Sequence, residues 1–546
     1  MRILKLLYRE TGYRLFVFGL FGLLSGILHA AILPFITFVI GNYASSEFQV
    51  INLLHVALYF GIVLAMIVCQ RTFSRFMTSL TQGLMLRIRI SLLDTVRRAN
   101  YYQYEQIGHG EIYTAITRDA TIVSNSAASI VYASTALVTA LACLIYLAYL
   151  SWIGFAATIL TMSVGITFYM IRQRKIKKIF QDVRESETIF FKHINELLAG
   201  FKEVKVNQSK NDDIYHNYIG KISHRTTNFM LRGVNFYLDN GYVGQLSFLG
   251  LIAFVLFGFP LLGIPVTSIL SYIFVILYIM GPIEIVMNSI PGLTQSNISL
   301  ESIERIREKA EKIIEEIPEQ QNKFDFQRLD FKQVEFAYEE DNDERQFRVG
   351  PIDFQVGRGN MVFIVGGNGS GKTTFFKLLT GLYKAQKGEI QIDGTRVAIS
   401  DYRSLFSPIF SDFYLFDTLY GMEHGVSEKR VTELLQQMQL EHKVSYEDSN
   451  FSTVSLSTGQ RKRLALIIAL LEEKPILVLD EWAADQDPQF RQFFYENLLP
   501  ELRKKDVTII AITHDDKYFH VADKVYKMDE GTMSEISEQA KIQKAL

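Results

Sequence analysis

The most explicit chemistry in the chain lies in nine residues, Gly366-Gly367-Asn368-Gly369-Ser370-Gly371-Lys372-Thr373-Thr374. An apolar run of strand length, 360–365, precedes them, and Phe375, Phe376, Leu378 and Leu379 follow at helical spacing. A strand, a glycine loop and a helix opening on Gly-Lys-Thr make a phosphate cradle. Glycines let successive backbone N–H groups turn inward onto an anion, and the helix N-terminus adds unpaired donors and partial positive charge. Lys372 reaches the β- and γ-phosphates, and the Thr373 hydroxyl is placed to hold Mg²⁺.

A second set of groups lies 108 residues beyond Lys372. The run from Pro475 to Leu479 is apolar throughout and ends in Asp480 and Glu481. A strand without alternation belongs at the centre of a parallel sheet, and ligands of such sheets bind beyond the carboxyl ends of the strands. Asp480 is there to hold Mg²⁺ and Glu481 to polarise an attacking water. A third set, Leu456-Ser457-Thr458-Gly459-Gln460, precedes this strand. Ser457 is a helix cap, so this is another helix N-terminus led by small residues and a second anion site. One copy of the chain cannot easily close both anion sites on one γ-phosphate; two copies facing head to tail can.

These groups need a scaffold, and the chain supplies two kinds. Hydrophobic residues make up 49% of the 546 residues, and the charge is split. Residues 1–300 hold 24 Lys and Arg against 15 Asp and Glu, which leaves 32 against 43 in the remainder. A basic, apolar half is thus joined to an acidic, more polar one, which implies two environments. Six apolar segments, near 14–41, 52–70, 128–150, 152–171, 243–263 and 267–291, each approach or exceed the ~20 residues that cross a bilayer core. Six such runs exclude a soluble factor. The first is longer than a signal peptide's apolar core and is read as a retained span.

The linkers at 42–51, 151 and 264–266 carry no Lys or Arg, whereas the N-terminus and the linkers 71–127 and 172–242 are basic. Basic loops stay cytoplasmic, so both termini and both long linkers are expected in the cytosol. Apolar residues recur at helical spacing through 84–96 and 190–206, which extends the spans as helices. Each extension has a turn-like tip, at Tyr101–Glu105 with Gly108-His109-Gly110 and at Asn211–Tyr215. These tips are expected to touch a cytosolic domain.

Domain boundaries are expected at 1–300 for six membrane helices with their extensions, 301–325 for an amphipathic linker helix, and 326–546 for an α/β nucleotide-binding domain. Val334-Glu335-Phe336-Ala337-Tyr338 alternates as a strand, and 339–344 reads as a solvated acidic loop. The two cysteines, Cys69 and Cys143, sit in apolar runs and are expected to be small core residues. The ten histidines form no metal-ligand pattern, and no nucleic-acid partner is expected.

Taken in order, these motifs resemble the ABC transporters. Tyr338 stands where the adenine-stacking aromatic lies, Gly366–Thr374 as Walker A, Leu456–Gln460 as the signature and Ile476–Glu481 as Walker B. Ala484-Asp485-Gln486-Asp487 stands at the D-loop and Thr513-His514-Asp515 at the H-loop. Six spans before one nucleotide domain look like an exporter-type half-transporter. The resemblance implies a homodimer with ATP and Mg²⁺ between Walker A of one copy and the signature of the other. It also implies that Glu481 activates water, that His514 contacts the γ-phosphate, and that closure rocks the spans from inward-open to outward-open. Ser411 occupies the place of the Q-loop glutamine and would need a water to reach the metal. Thr458 replaces a signature glycine, and Trp482 is bulky where small residues are usual.

Phe410-Ser411-Asp412 and the run Asp480–Pro488 resemble the cyclic-peptide and siderophore exporters, relatives of the pyoverdine, syringomycin and lasso-peptide exporters. That match implies a bacterial inner membrane and a peptide-like or siderophore-like cargo. A lipid or multidrug exporter is the alternative, and an ATP-gated channel or slow regulator a third. Glu284, the one carboxylate within a span, faces either the translocation path or the inner membrane boundary, and the sequence leaves both open. Tyr272, Tyr278, Asn288 and Gln245 are candidates to line it.

Overall fold

The computed structural model describes residues 13–45, 53–312, 326–338, 347–397, 402–422 and 426–537. The expected acidic loop at 339–344 and the end of the expected linker helix, 313–325, lie outside them.

The first part of the chain is helical: α1 (Tyr13–Ser45), α2 (Leu53–Arg98), α3 (Tyr101–Ile107), α4 (His109–Thr114), α5 (Ala120–Leu150) and α6 (Trp152–Ala199). It continues with α7 (Phe201–Val206), α8 (Gln208–Asp212), α9 (Lys221–Leu261) and α10 (Val266–Glu311). Six stretches within them are long and apolar enough to cross a membrane. α2, α6, α9 and α10 run 41 to 48 residues, well beyond the ~20 that a bilayer core requires, so the helical extensions expected from periodicity are present. The two turn-like tips are short helices. Asn100 starts α3 by accepting the Tyr102 N–H at 2.9 Å, and Gly108 ends it with a left-handed φ of 83°.

One compact unit comprises the chain up to Leu92 together with Tyr113–Glu304. Its apolar cluster joins Ala30 and Leu33 of α1, Cys143 and Leu147 of α5, Phe248 to Phe259 of α9 and Ile269 to Ile279 of α10. Tyr272 is fully buried in this cluster, not on a cavity wall as its type and position suggested. Its ring lies against the backbone of α6 at Gly154, where a Cβ would come within 2.5 Å of the ring, and its hydroxyl lies 3.2 Å from Thr158 Oγ1. Small residues that let backbones approach are a usual means of joining membrane helices. Tyr278 is half-buried and donates to the His29 carbonyl at 3.0 Å, whereas Glu284, Asn288 and Gln245 are exposed. Between α4 and α5 a π-turn, Ala115–Asp119, replaces the α-helical pattern. Arg89 of α2 donates to the Ile116 carbonyl at 2.9 Å, and the buried Asp119 accepts from Ser299 of α10 at 2.8 Å.

The second unit comprises Leu93–Ile112 and the chain from Arg305 onward. It contains β1 (Arg328–Ala337), β2 (Arg348–Gly357), β3 (Met361–Val365), α11 (Lys372–Leu379), β4 (Lys387–Ile392), β5 (Thr395–Arg396), β6 (Phe406–Ile409) and α12 (Glu428–Gln437). These are followed by the hairpin β7 (Tyr446–Glu447) and β8 (Asn450–Phe451), α13 (Thr458–Leu471), β9 (Ile476–Asp480), α14 (Pro488–Phe493) and α15 (Leu499–Lys504). The chain closes with β10 (Thr508–Ile512), β11 (Lys524–Asp529) and β12 (Thr532–Glu535). The main sheet has the order β12-β11-β3-β10-β9-β6 and is parallel except for β12. Every residue of β3, β9 and β10 is buried.

Alternation explains how such strands bury both faces. Phe363, Leu477 and Ala511 point to the cluster that holds α12, α13 and Trp482. Val362, Val478 and Ile510 point to the opposite cluster, which holds Phe375 and Phe376 of α11. A second, antiparallel sheet, β2-β1-β4-β5, covers that opposite side. The strand through Val334 and Phe336 was legible in the sequence; its antiparallel partners were not.

The close approach at Gly154 yields a prediction. Gly154→Leu should lower the apparent melting temperature in detergent by several degrees, since overpacking a filled contact costs about 1–3 kcal/mol. Gly165→Ala, on the same helix with open space at its Cβ, should leave it unchanged; equal shifts in a size-exclusion melting series would show that the Tyr272 contact is not tight.

Candidate functional site

β3 delivers the chain to the phosphate loop and α11 leaves it. Gly371 is the N-cap of α11 with φ of 102°, a region that L side chains rarely adopt. At Gly366 a Cβ would lie 2.3 Å from the Met528 carbonyl oxygen, so the loop closes against β11 only with glycine there. Gly367, Asn368 and Gly369 are exposed, as is Thr373. Lys372 is 7% exposed and folds back into the loop, where Nζ donates to the carbonyls of Gly366 and Gly367, both at 2.9 Å. The Ser370 hydroxyl is buried and has no partner. An ammonium resting on loop carbonyls beside an orphaned hydroxyl is the donor set that a phosphate satisfies, and the residues fit that group. The Tyr338 hydroxyl lies 2.9 Å from Thr374 Oγ1, which fixes this ring beside the start of α11.

β9 ends at Asp480, 3% exposed. Burial pushes its carboxyl above the usual carboxylate range, while hydrogen bonds from Ser411 oppose the shift. The Ser411 backbone N–H donates to Asp480 Oδ2 at 3.4 Å from the loop that follows β6. The resemblance put Ser411 in the place of the Q-loop glutamine, and the fold brings its N–H to Asp480. Thr373, Asp480 and Ser411 together offer a hydroxyl, a carboxylate and a second hydroxyl, oxygen donors suited to Mg²⁺.

Glu481 has a left-handed backbone, φ 46° and ψ 39°, at the turn out of β9. Its N–H is held by the Ile512 carbonyl at 3.1 Å and its carbonyl by Lys462 Nζ at 2.7 Å. Its carboxylate Oε1 lies 3.1 Å from His514 Nε2. Glu481, His514, Arg491, Thr513 and Asp515 line a cavity of about 170 Å³ together with Ala483 and Ala484. Asp515 is held by Arg491 at 3.3 Å and by the Tyr495 hydroxyl at 3.1 Å, and Tyr495 in turn meets Thr513 at 2.7 Å. The loop bearing His514 is thereby anchored on both sides.

Ser457 is the N-cap of α13, and Gln460 Oε1 accepts the Ser457 N–H at 3.3 Å in a capping box. Ser457 and Thr458 are exposed and Gly459 is partly buried. The 14-residue helix behind them gives this end a full N-terminal dipole. Gln460 therefore has a structural duty here that the motif alone did not reveal. At Gly459 a Cβ would lie 2.6 Å from the Asp485 carbonyl oxygen, so α13 begins against the turn that follows Glu481.

That junction is the part sequence reasoning missed. Lys462 is 5% exposed; its Nζ bonds Asp485 Oδ2 at 2.6 Å as well as the Glu481 carbonyl. Arg463 bonds Gln486 at 2.8 Å and Asp487 at 2.7 Å, and lies over the Phe490 ring at 3.5 Å. The Gln486 amide donates to the Gly459 carbonyl at 3.1 Å. Trp482 is 1% exposed, stacks on Phe494 at 4.3 Å and donates from Nε1 to the Lys462 carbonyl at 2.8 Å. The bulky residue after Glu481 is thus the bolt between β9 and α13. No local pattern marked it, because Asp485 and Asp487, the acids that meet Lys462 and Arg463, lie more than twenty residues further along the chain.

Residues 349–484 match the family model described as ABC transporter, and residues 15–283 match the ABC transporter transmembrane region. The ATP-binding protein SyrD of Pseudomonas syringae pv. syringae is 34% identical over 554 aligned positions, spanning 97% of this chain and 95% of that protein. The energy-coupling factor transporter ATP-binding protein EcfA1 of Staphylococcus aureus is 31% identical over 223 positions, 37% of this chain and 78% of EcfA1. The solved structure of a bacterial Atm1-family ABC exporter with ATP bound matches with a TM-score of 0.79 over 97% of this chain and 96% of that one. At 16% identity this last likeness is one of fold.

The Trp482 contacts generate a ranking. Trp482→Ala should cost about 3–5 kcal/mol through lost packing, and Trp482→Phe only about 1 kcal/mol through the lost N–H bond to Lys462. Thermal midpoints should fall in that order, with the larger step between Phe and Ala; reversed steps would show that the hydrogen bond dominates.

Proposed function

The chain belongs to the ABC transporters as an ATP-hydrolysing exporter, and from that premise we propose that two copies expel a peptide-like or siderophore-like molecule across a bacterial inner membrane by alternating access. Both termini and the nucleotide domain lie in the cytosol in this reading, as the basic linkers demand. The boundaries near 300 and 325 then separate the membrane helices from the linker and the ATPase.

The observation that carries the reading is the placement of Glu481. Its carboxylate meets His514 at 3.1 Å on the cavity wall, at the carboxyl end of a central strand and one residue beyond the buried Asp480. Such a group is placed to orient and deprotonate a water in line with a γ-phosphate. His514 contacts that phosphate and holds the Glu481 carboxylate in place. Lys372, leaving the loop carbonyls, turns to the β- and γ-phosphates. The N–H groups of Gly369, Ser370, Gly371, Thr373 and Thr374 line the cradle with Gly366 and Asn368, and Tyr338 supports the adenine. Thr373 and Asp480 would hold Mg²⁺, with Ser411 one water away; the metal supplies charge neutralisation to the phosphates.

The second copy enters through α13. Ser457, Thr458, Gly459 and Gln460 open a 14-residue helix whose first residues face outward. They suit the γ-phosphate held by the opposite copy, as an anion bound at a helix N-terminus. The cargo class rests on the Phe410-Ser411-Asp412 and Asp480–Pro488 runs, which resemble those of the cyclic-peptide and siderophore exporters. Glu284, exposed on α10, faces the translocation path in the assembled pair.

Glu481→Gln should reduce ATP hydrolysis by about 100-fold or more while ATP stays bound in a closed pair; unchanged turnover in reconstituted protein would remove Glu481 from the water-activating role. Lys372→Ala should abolish hydrolysis and export together, and export that survives would sink the pump. Cyclic lipopeptides and siderophores added to the protein in lipid should stimulate its ATPase, whereas stimulation by simple lipids alone would redirect the cargo assignment.

A further inference from the structure

Between α6 and α9 a guanidinium is wedged at the edge of an apolar span. Arg172 Cζ lies 5.0 Å from the centre of the Phe168 ring on its own helix and 5.3 Å from that of Phe236 on α9. Its Nη1 donates to Asn240 Oδ1 at 3.4 Å. Phe168 precedes Arg172 by one turn of α6, and Phe236 precedes Asn240 by one turn of α9. Two i, i+4 pairs thus enclose the cation from two helices. Asn240 is 4% exposed, and its Nδ2 has no partner among the described residues. The other N–H groups of Arg172 likewise meet no acceptor among the described residues. Asp239, the residue before Asn240, is exposed and is not paired with Arg172.

The groups left over are all of one kind. Asn240 Oδ1 is already used, so what remains is a set of N–H donors on a cation and beside it. A buried donor without a partner is costly, and donors gathered at a positive charge are completed by an oxyanion. The planar fork of an arginine matches a phosphate in particular. Depth narrows the source of that phosphate. The apolar span of α6 runs from Trp152 to Arg172, 21 residues, or ~30 Å at ~1.5 Å per residue, the thickness of a hydrocarbon core. Trp152, 70% exposed, marks the other interface. Asn240 stands about as far from Leu261, where α9 ends. Both helices therefore bring their share of the notch to the level at which headgroup phosphates begin. The exposed Lys175 and Lys178, further along α6, form a solvated fringe that draws anions without enclosing them.

We propose that Arg172 and Asn240, backed by Phe168 and Phe236, form a binding site for the phosphate of an anionic lipid headgroup. The bound phosphate accepts from the Arg172 fork and from Asn240 Nδ2, and so bridges α6 and α9 at the bilayer surface that the basic linkers place in the cytosol. Its acyl chains lie against the apolar surface of the spans. Free orthophosphate has the same chemistry but no chains to hold it at this depth.

Thermal melting of the delipidated full-length protein in a non-ionic detergent tests this, with dioleoylphosphatidylglycerol, diolein and sodium phosphate as probes. A ligand that binds only the folded state raises its midpoint. Phosphatidylglycerol should raise it by about 3 °C or more, and neither diolein nor phosphate should. Arg172→Gln and Asn240→Leu should each lose at least half of that rise. Lys175→Gln, which removes an equal charge from the same surface, should keep it. An equal rise with diolein would assign the effect to acyl chains alone, and an equal rise with phosphate would take the lipid out of the site. Equal losses in Arg172→Gln and Lys175→Gln would leave only diffuse surface attraction. Each of these three results overturns the proposal. Should Arg172→Gln not fold, native mass spectrometry of Asn240→Leu decides, because that variant keeps the cation. It should bind phosphatidylglycerol at least threefold more weakly than the unsubstituted protein, and unchanged binding would overturn the site.

Discussion

The contact on which the catalytic end of this protein depends is the buried ammonium of Lys462. It takes the Glu481 carbonyl and the Asp485 carboxylate together. Removing an ion from water is costly, and the cost is repaid only when each of its donors is used well. The return here is geometric. Glu481 sits in a left-handed backbone conformation that a non-glycine residue holds only when its surroundings over-determine it. The Ile512 carbonyl fixes its N–H and Lys462 fixes its carbonyl, so the side chain leaves the strand toward His514. The same ammonium ties α13, and with it Ser457 and Thr458, to the turn after the strand. The exposed N-terminus of α13 and the Glu481 carboxylate are thereby joined through one buried ammonium.

Much of this was legible from residues alone, for physical reasons that can be stated. The glycine loop, the unbroken apolar strand ending in two acids and the six spans are local patterns, each set by a constraint acting within about 20 residues. Ser411 was placed only through the family resemblance, and its N–H reaches Asp480. What was not legible depends on distant pairing. Trp482 looked like an awkward substitution because its partners, Phe494 and the Lys462 carbonyl, lie on two other helices. Tyr272 looked like a cavity residue because its polar tip suggested water, but a glycine on α6 and the Thr158 hydroxyl accommodate it in the core. The antiparallel sheet escaped notice because β4 and β5 are short and carry Lys387, Glu389 and Arg396, which hide their alternation. The ion pair between Glu105 and Lys377 joins residues 272 positions apart, beyond the reach of any pattern in a window.

The two halves of the protein also differ in how their polar groups are satisfied. In the helical unit hydroxyls fold back onto the carbonyl one turn earlier, as Thr158 does on Gly154 and Thr139 on Thr135, so the helices present little unspent polarity to an apolar surround. In the sheet-bearing unit polar groups are spent between elements, in the capping box of α13, the Arg463 contacts and the Arg491-Asp515-Tyr495 chain. The division of charge along the sequence reflects these two economies of hydrogen bonding.

The insertion of residues 93–112 into the second unit has a consequence for how the molecule is made. α3 leaves the ribosome early, with Tyr102 and Glu105 in need of partners that begin at Phe336 and end at Tyr383. More than two hundred residues separate them, a wait of roughly 12–56 s at ~5–20 residues per second. Through that interval the nascent chain carries an aromatic hook whose partners have not yet been made. Synthesis through Tyr383 supplies those partners, and an ATPase unit produced without its upstream segment would emerge with the Phe336–Tyr383 surface uncovered.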